Sequence, residues 1–164
     1  KGQNVSSWAG PDWPGSARFT LERMSDSIRE LKPQVDLVFA EVQHTEFNAA
    51  GDYQTEPLAQ QEIDFRGMID AGADVVTGVQ AHAPQAMEIR NGKPILYGLG
   101  NLYFDQTWSW PTRTGLVVRH TIYDHKLINT ELLVTVIETN FQLRWATAQE
   151  RIQVLREVFD ASRW

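Results

Sequence analysis

Two histidines, each placed just after a predicted strand, are the side chains in this sequence most able to do chemistry. His44 follows the largely apolar run 35–42, and His82 follows the β-branched run 73–77 and Gly78. A helix is predicted between the two runs, so we expect the strands to be parallel neighbours with both carboxyl ends on one edge of the sheet. Open α/β sheets bind ligands at that edge. The pattern therefore predicts that the two histidines converge there in a catalytic or ligand-binding role, although structural histidines remain an equal alternative.

Two further side chains could contact a substrate at this edge. Asn101 follows the Gly98-Leu-Gly100 segment at another predicted strand end, where glycines let the backbone approach a ligand closely. Glu46 lies with Asp52 and Glu56 in an acidic loop directly after the first histidine, where a carboxylate could act as a ligand or a base. A solvated loop explains the same acidic residues, and both interpretations stay open.

Several other kinds of chemistry are excluded or disfavoured by the sequence. The chain has 164 residues and contains no cysteine, which excludes thiol catalysis and thiolate metal sites. Its net charge of −6, without a basic run, argues against a nucleic-acid partner. No apolar run is long enough for a transmembrane segment. No phosphate-binding glycine loop or serine elbow is present, and His120 and His125 are predicted to be structural.

The hydrophobic pattern predicts an α/β fold that would position these strand ends. Apolar residues recur every three or four positions in two early segments, and long alternating or apolar runs follow in the second half of the chain. Asn91-Gly92 predicts a hairpin turn, and Thr147 with Glu150 predicts a capping box. The predicted helices are 17–31, 57–71 and 147–159, and the predicted strands are 35–42, 73–77, 86–90, 94–97, 115–123 and 127–138, with 141–145 as an extension.

Three segments of the sequence together resemble those of a known family. Residues 68–78 read Met-Ile-Asp-Ala-Gly-Ala-Asp-Val-Val-Thr-Gly, residues 92–95 read Gly-Lys-Pro-Ile, and residues 97–105 read Tyr-Gly-Leu-Gly-Asn-Leu-Tyr-Phe-Asp. In this order and spacing they are similar to the C-terminal half of bacterial capsule-synthesis CapA proteins, which are linked to poly-γ-glutamate capsules. That family belongs to the calcineurin-like metallophosphoesterase superfamily, and the resemblance covers most of residues 9–106.

The resemblance implies a fold, a reaction and a set of metal ligands. The implied fold is a two-sheet sandwich flanked by helices (α/β/β/α) with mixed sheets, of which this chain would be the C-terminal part. The implied activity is metal-dependent phosphoester hydrolysis, in which two divalent ions (Mn, Fe or Zn) activate a bridging water. His44 and His82 match histidines of the family, and Gln80 stands where the family has another histidine. The ligands from the first half of the superfamily fold have no counterpart here.

Two interpretations of the missing first-half ligands remain open. In one, residues 1–164 form a single domain that is a C-terminal fragment of a longer chain. Its partner would be the missing N-terminal half or a second copy, and the parent protein would be extracytoplasmic or membrane-associated. In the other, the chain is a degenerate, non-catalytic binding or scaffolding module of a surface-polymer assembly. Both interpretations predict weak metal binding at most and little or no phosphoesterase activity.

Overall fold

The computed structural model describes residues 8–44 and 54–163, which form two β-sheets with helices packed on them. Within these residues no helix combines the length and the apolar composition needed to cross a membrane. In chain order the elements are α1 (Leu21–Leu31), β1 (Phe39–Gln43), α2 (Ala59–Ala71), β2 (Val75–Val79), β3 (Met87–Arg90), β4 (Lys93–Leu96), α3 (Trp110–Arg113), β5 (Thr114–Tyr123), β6 (Lys126–Ile137), β7 (Leu143–Trp145) and α4 (Ala148–Ala161).

The first sheet has the strand order β1-β2-β4-β3. Strand β2 runs parallel to both β1 and β4, and β3 pairs antiparallel with β4. The predicted parallel pair and the predicted hairpin are therefore confirmed. Asn91 and Gly92 have φ values of 53° and 74° in the turn between β3 and β4. Two consecutive positive φ values suit the twist of a two-residue hairpin, which is why Asn-Gly predicts this turn well.

Helices α1 and α2 cover one face of the first sheet. Ala40 and Val42 alternate with exposed residues along β1 and pack into a core with Phe65 and Met68 of α2. Helix α1 begins at Leu21, later than the predicted residue 17, because the Thr20 hydroxyl accepts from the Arg23 N–H and caps the helix there.

Strand β1 also begins later than predicted, at Phe39 rather than at Val35. The Val38 N–H donates to Asp74 Oδ2 over 2.8 Å, and Val38 O accepts from the Asp74 N–H over 2.8 Å. Val38 is therefore bound to the turn before β2 and precedes the regular ladder. These contacts hold the start of β1 against the start of β2 and set their register.

The second sheet is antiparallel with the order β5-β6-β7. A second core joins it to the first sheet and to α4. The core residues are Met87 and Leu96 from the first sheet, Leu116, Leu132 and Val134 from the second, and Val154, Leu155 and Val158 from α4. The α/β class with mixed sheets is thus confirmed. Helix α4 begins at the predicted cap, where Thr147 and Glu150 form the capping box.

A cavity separates β1 of the first sheet from β5 of the second. In the part of the chain that the structure describes, β1 is the last strand of the first sheet and β5 the last strand of the second. This cavity of about 420 Å³ is lined mainly by apolar side chains and by Glu41 and His120. The rings of Phe39 and His120 approach to 5.3 Å across it. The core between the sheets is therefore covered by α4 on one side and open on this one.

Candidate functional site

The two candidate histidines lie at the carboxyl edge of the first sheet. Gln43 and Val79 end β1 and β2 and pair with each other in the parallel ladder. His44 follows Gln43 directly, and His82 lies three residues beyond Val79. The parallel pairing therefore places both histidines at the same edge, where the sequence pattern predicts them.

His44 is held by a carboxylate and by aromatic rings. Its Nε2 lies 2.9 Å from Asp64 Oδ2, and Asp64 Oδ1 accepts from Gln60 Nε2 over 3.0 Å. Asp64 is buried on α2, with 7% of its surface exposed. The His44 ring stands edge-on to Phe65 and Phe19, with centroids at 5.7 and 6.2 Å. Sequence reasoning missed Asp64, although a Gln and an Asp four positions apart on a helix are a recognisable polar pair.

His82 is held by Asn101, the residue that sequence reasoning proposed as a substrate contact. His82 Nδ1 lies 2.8 Å from Asn101 Oδ1. Asn101 Nδ2 donates to the Thr112 carbonyl over 2.8 Å and to Gln106 Oε1 over 3.2 Å. Asn101 is buried, and the Phe104 ring lies 5.0 Å from the His82 ring. The structure therefore joins Asn101 to His82 and α3 to the edge of the first sheet.

Gln80 lies in the loop after β2 with a conformation unusual for a residue that has a side chain. Its φ is 149°, in a region where strain typically costs about 1–3 kcal/mol. Its Oε1 accepts a hydrogen bond from Gln43 Nε2, which connects the ends of β1 and β2. The predicted metal-ligand oxygen of Gln80 therefore already has a protein partner. Glu46, the other predicted substrate contact, lies outside the described residues.

The donor set of the described residues does not fit a two-metal centre. Within residues 8–44 and 54–163, no group of three or more histidine, cysteine, aspartate or glutamate side chains is placed to hold a metal ion. The predicted ligands His44, His82 and Gln80 are two imidazoles and an amide, which carry no negative charge to offset two divalent ions. Carboxylates are the usual source of that charge.

The other two histidines have partners that fit a structural role. His120 Nδ1 lies 2.9 Å from Thr130 Oγ1 on the neighbouring strand, and burial lowers the pKa of His120. A lowered pKa favours the neutral ring in the sheet. His125 lies in the turn between β5 and β6, and its Nδ1 is 2.8 Å from Asp36 Oδ2. That contact connects the tip of the hairpin to the segment that precedes β1.

A buried ionic cluster supports the aromatic residues beneath His44. Glu88 on β3 accepts three hydrogen bonds from Arg66 over 2.8–3.0 Å and one from the Tyr97 hydroxyl over 2.8 Å. Burial raises the pKa of Glu88, but these hydrogen bonds outweigh burial and leave it below its usual value. Tyr97 in turn stacks on Phe65, with ring centroids at 5.4 Å. The cluster therefore fixes the ring against which His44 packs.

The segments that build this edge are also those shared with known proteins. The sequence matches the family described as bacterial capsule synthesis protein PGA_cap over residues 2–106, more than half of the chain. This chain belongs to that family. The match includes every candidate site residue, namely His44, Glu46, Gln80, His82 and Asn101, and it also includes Asp64. The family predicted from the three sequence segments is therefore confirmed.

Individual relatives are named for PGA biosynthesis, capsule biosynthesis or polyglutamine synthesis. The chain is 34% identical over 107 residues to the PGA biosynthesis protein CapA of Bacillus subtilis, covering 65% of this chain and 27% of that protein. It is 29% identical over 138 residues to the capsule biosynthesis protein CapA of Bacillus anthracis, covering 82% of this chain and 31% of that protein. A 38-residue stretch is 53% identical to a probable polyglutamine synthesis accessory protein of Mycobacterium tuberculosis, covering 23% of this chain and 10% of that protein. The chain thus spans less than a third of the length of the two CapA proteins.

Proposed function

We propose that this chain forms part of a metallophosphoesterase-like domain in a protein of bacterial capsule or poly-γ-glutamate synthesis. We propose further that the chain by itself has little or no phosphoesterase activity. The observation that carries the proposal is the position of His44 and His82 at the carboxyl ends of adjacent parallel strands. Each imidazole is oriented there by a buried side chain, Asp64 or Asn101. The names of the relatives support the connection with capsule polymers.

The open side of the two-sheet core supports the view that the chain is one part of a larger fold. Phe39 and Val79 are each 42% exposed and face the cavity between β1 and β5. Unpaired strand edges next to exposed apolar side chains favour the addition of further strands. We propose that the N-terminal half of the same protein pairs with these edges and supplies the carboxylate ligands that the set of His44, His82 and Gln80 lacks. The parent protein would act at the cell surface, extracytoplasmic or bound to the membrane.

A phosphodiesterase assay of the chain tests this function. Bis(4-nitrophenyl) phosphate would be incubated with the purified chain and Mn²⁺ or Zn²⁺, with the His82→Ala variant as the matched control. We expect no hydrolysis above the rate of the metal alone, because two imidazoles cannot hold and charge-balance two divalent ions. Hydrolysis by the unaltered chain that disappears in the His82→Ala variant would contradict the proposed inactivity.

A non-catalytic binding or scaffolding module is the second candidate, and Gln80 favours it. An amide replaces an expected histidine there, and the amide is engaged by Gln43. Isothermal titration with Mn²⁺ and Zn²⁺ separates the two candidates. A part of a metal-dependent domain should retain weak binding that decreases in the His44→Ala and His82→Ala variants. A scaffolding module should take up no metal at all.

A further inference from the structure

We propose that Asn101 and Asp64 are positioning residues that hold the two edge histidines in opposite tautomers. In His82 the ring proton would be on Nδ1, and in His44 it would be on Nε2. The relevance of these tautomers to catalysis or ligand binding rests on the proposed function. The tautomers themselves follow from the hydrogen bonds of the described residues.

The tautomer of His82 follows from the orientation of the Asn101 amide. The Thr112 carbonyl oxygen can only accept, so the Asn101 atom 2.8 Å from it must be the NH₂ group. The amide oxygen of Asn101 then faces His82 Nδ1 over 2.8 Å. An amide oxygen also can only accept, so Nδ1 of His82 must carry the proton. The backbone of α3 thereby determines the protonation pattern of a ring on the neighbouring loop.

The tautomer of His44 follows from the carboxylate of Asp64. Asp64 Oδ2 lies 2.9 Å from Nε2 of His44, and its other oxygen accepts from Gln60. An ionised carboxylate accepts hydrogen bonds and donates none, so Nε2 of His44 must carry the proton. A buried carboxylate that receives a ring N–H also fixes the orientation of the ring.

The two residues therefore decide which nitrogen of each neutral ring carries the proton. The unprotonated nitrogen is then Nδ1 in His44, next to the side-chain stem, and Nε2 in His82, at the far end of the ring.

Nuclear magnetic resonance of the imidazole nitrogens tests the assignment without substrate or metal. Long-range ¹H–¹⁵N correlation spectra distinguish the two tautomers and would be recorded at an alkaline pH where histidine is neutral. The chain has four histidines, and the His44→Gln and His82→Gln variants assign the two of interest. We expect Nδ1–H for His82 and Nε2–H for His44. The opposite tautomer at either ring in the unaltered chain would overturn the proposal for that ring.

Two variants test whether Asp64 and Asn101 cause these tautomers. In Asp64→Asn, the new amide can present either its oxygen or its NH₂ group to Nε2 of His44, so the spectrum of His44 should shift from Nε2–H toward a mixture of tautomers. In Asn101→Ala, the spectrum of His82 should shift toward a mixture of tautomers. Unchanged tautomers in the Asp64→Asn and Asn101→Ala variants would refute the positioning role.

Internal controls separate this result from a change of fold and from the proposed function. His120 and His125 bond to Thr130 and Asp36 and should keep their spectra in every variant. If Asn101→Ala does not fold, the spectrum of the unaltered chain and the isosteric Asp64→Asn variant still decide the outcome. The spectra are recorded without substrate, so they test the tautomers independently of the phosphodiesterase assay. The expected tautomers would support the positioning role even if that assay contradicted the proposed function. Unexpected tautomers would refute the positioning role and leave the proposed function unchanged.

Discussion

Truncating Phe65 should destabilise the chain more than any change at the surface of the same helix. Phe65 is fully buried, stacks on Tyr97 at 5.4 Å and meets the edge of His44 at 5.7 Å. Replacing a buried Phe with Ala typically costs about 3–5 kcal/mol, and a buried aromatic pair contributes about 1 kcal/mol beyond its area. Because two ring contacts are lost in a site without solvent, we expect Phe65→Ala to lower the free energy of unfolding by about 4 kcal/mol.

Urea denaturation followed by circular dichroism measures this loss. Ile63→Ala is the matched control, because Ile63 lies on the same helix and is 56% exposed. We expect the control to change the free energy of unfolding by less than about 0.5 kcal/mol. The His44 ring signals should also broaden in Phe65→Ala, since the ring loses a packing partner. A loss of under about 2 kcal/mol in Phe65→Ala, or an equal loss in Ile63→Ala, would refute this packing argument.

Two further predictions concern the sheet and the final helix. A Cβ added at Gly78 would lie 2.0 Å from the Tyr97 carbonyl oxygen, so Gly78→Ala should fail to give a cooperative thermal transition. A Cβ added at Gly92 meets nothing within 4 Å, but φ there is +74°. Gly92→Ala should therefore lower the free energy of unfolding by only about 1 kcal/mol. Equal losses of stability in Gly78→Ala and Gly92→Ala would contradict the steric explanation. Hydrogen bonds from Arg144 lower the pKa of Glu150 from 4.5 to about 2. This lowered pKa stabilises the fold fully above pH 4.5, by about 1 kcal/mol after solvent screening, and the contribution is lost as the pH falls toward 2. The free energy of unfolding should therefore fall less steeply with decreasing pH in Glu150→Gln than in the unaltered chain over that range. An unchanged slope would exclude the Arg144–Glu150 pair as the cause.

Local sequence patterns predicted most of the secondary structure. The Asn91-Gly92 turn and the capping box of Thr147 and Glu150 depend on residues close in the chain, so the local sequence was enough to predict both. The starts of α1 and β1 were less predictable. The start of β1 depends on hydrogen bonds between Val38 and Asp74, which are 36 residues apart. Distant contacts of this kind leave no periodic pattern in the sequence.

The sequence by itself determined that His44 and His82 follow two parallel strands, and hence that both lie on one edge of a sheet. Hydrophobic runs, a helical crossover and the parallel rule suffice for that conclusion. Only the tertiary structure decided what holds each ring, because Asp64 and Asn101 lie 20 and 19 residues from their histidines. Those pairs depend on how α2 and α3 pack beside the sheet, and the direction of a side-chain hydrogen bond is set by that packing.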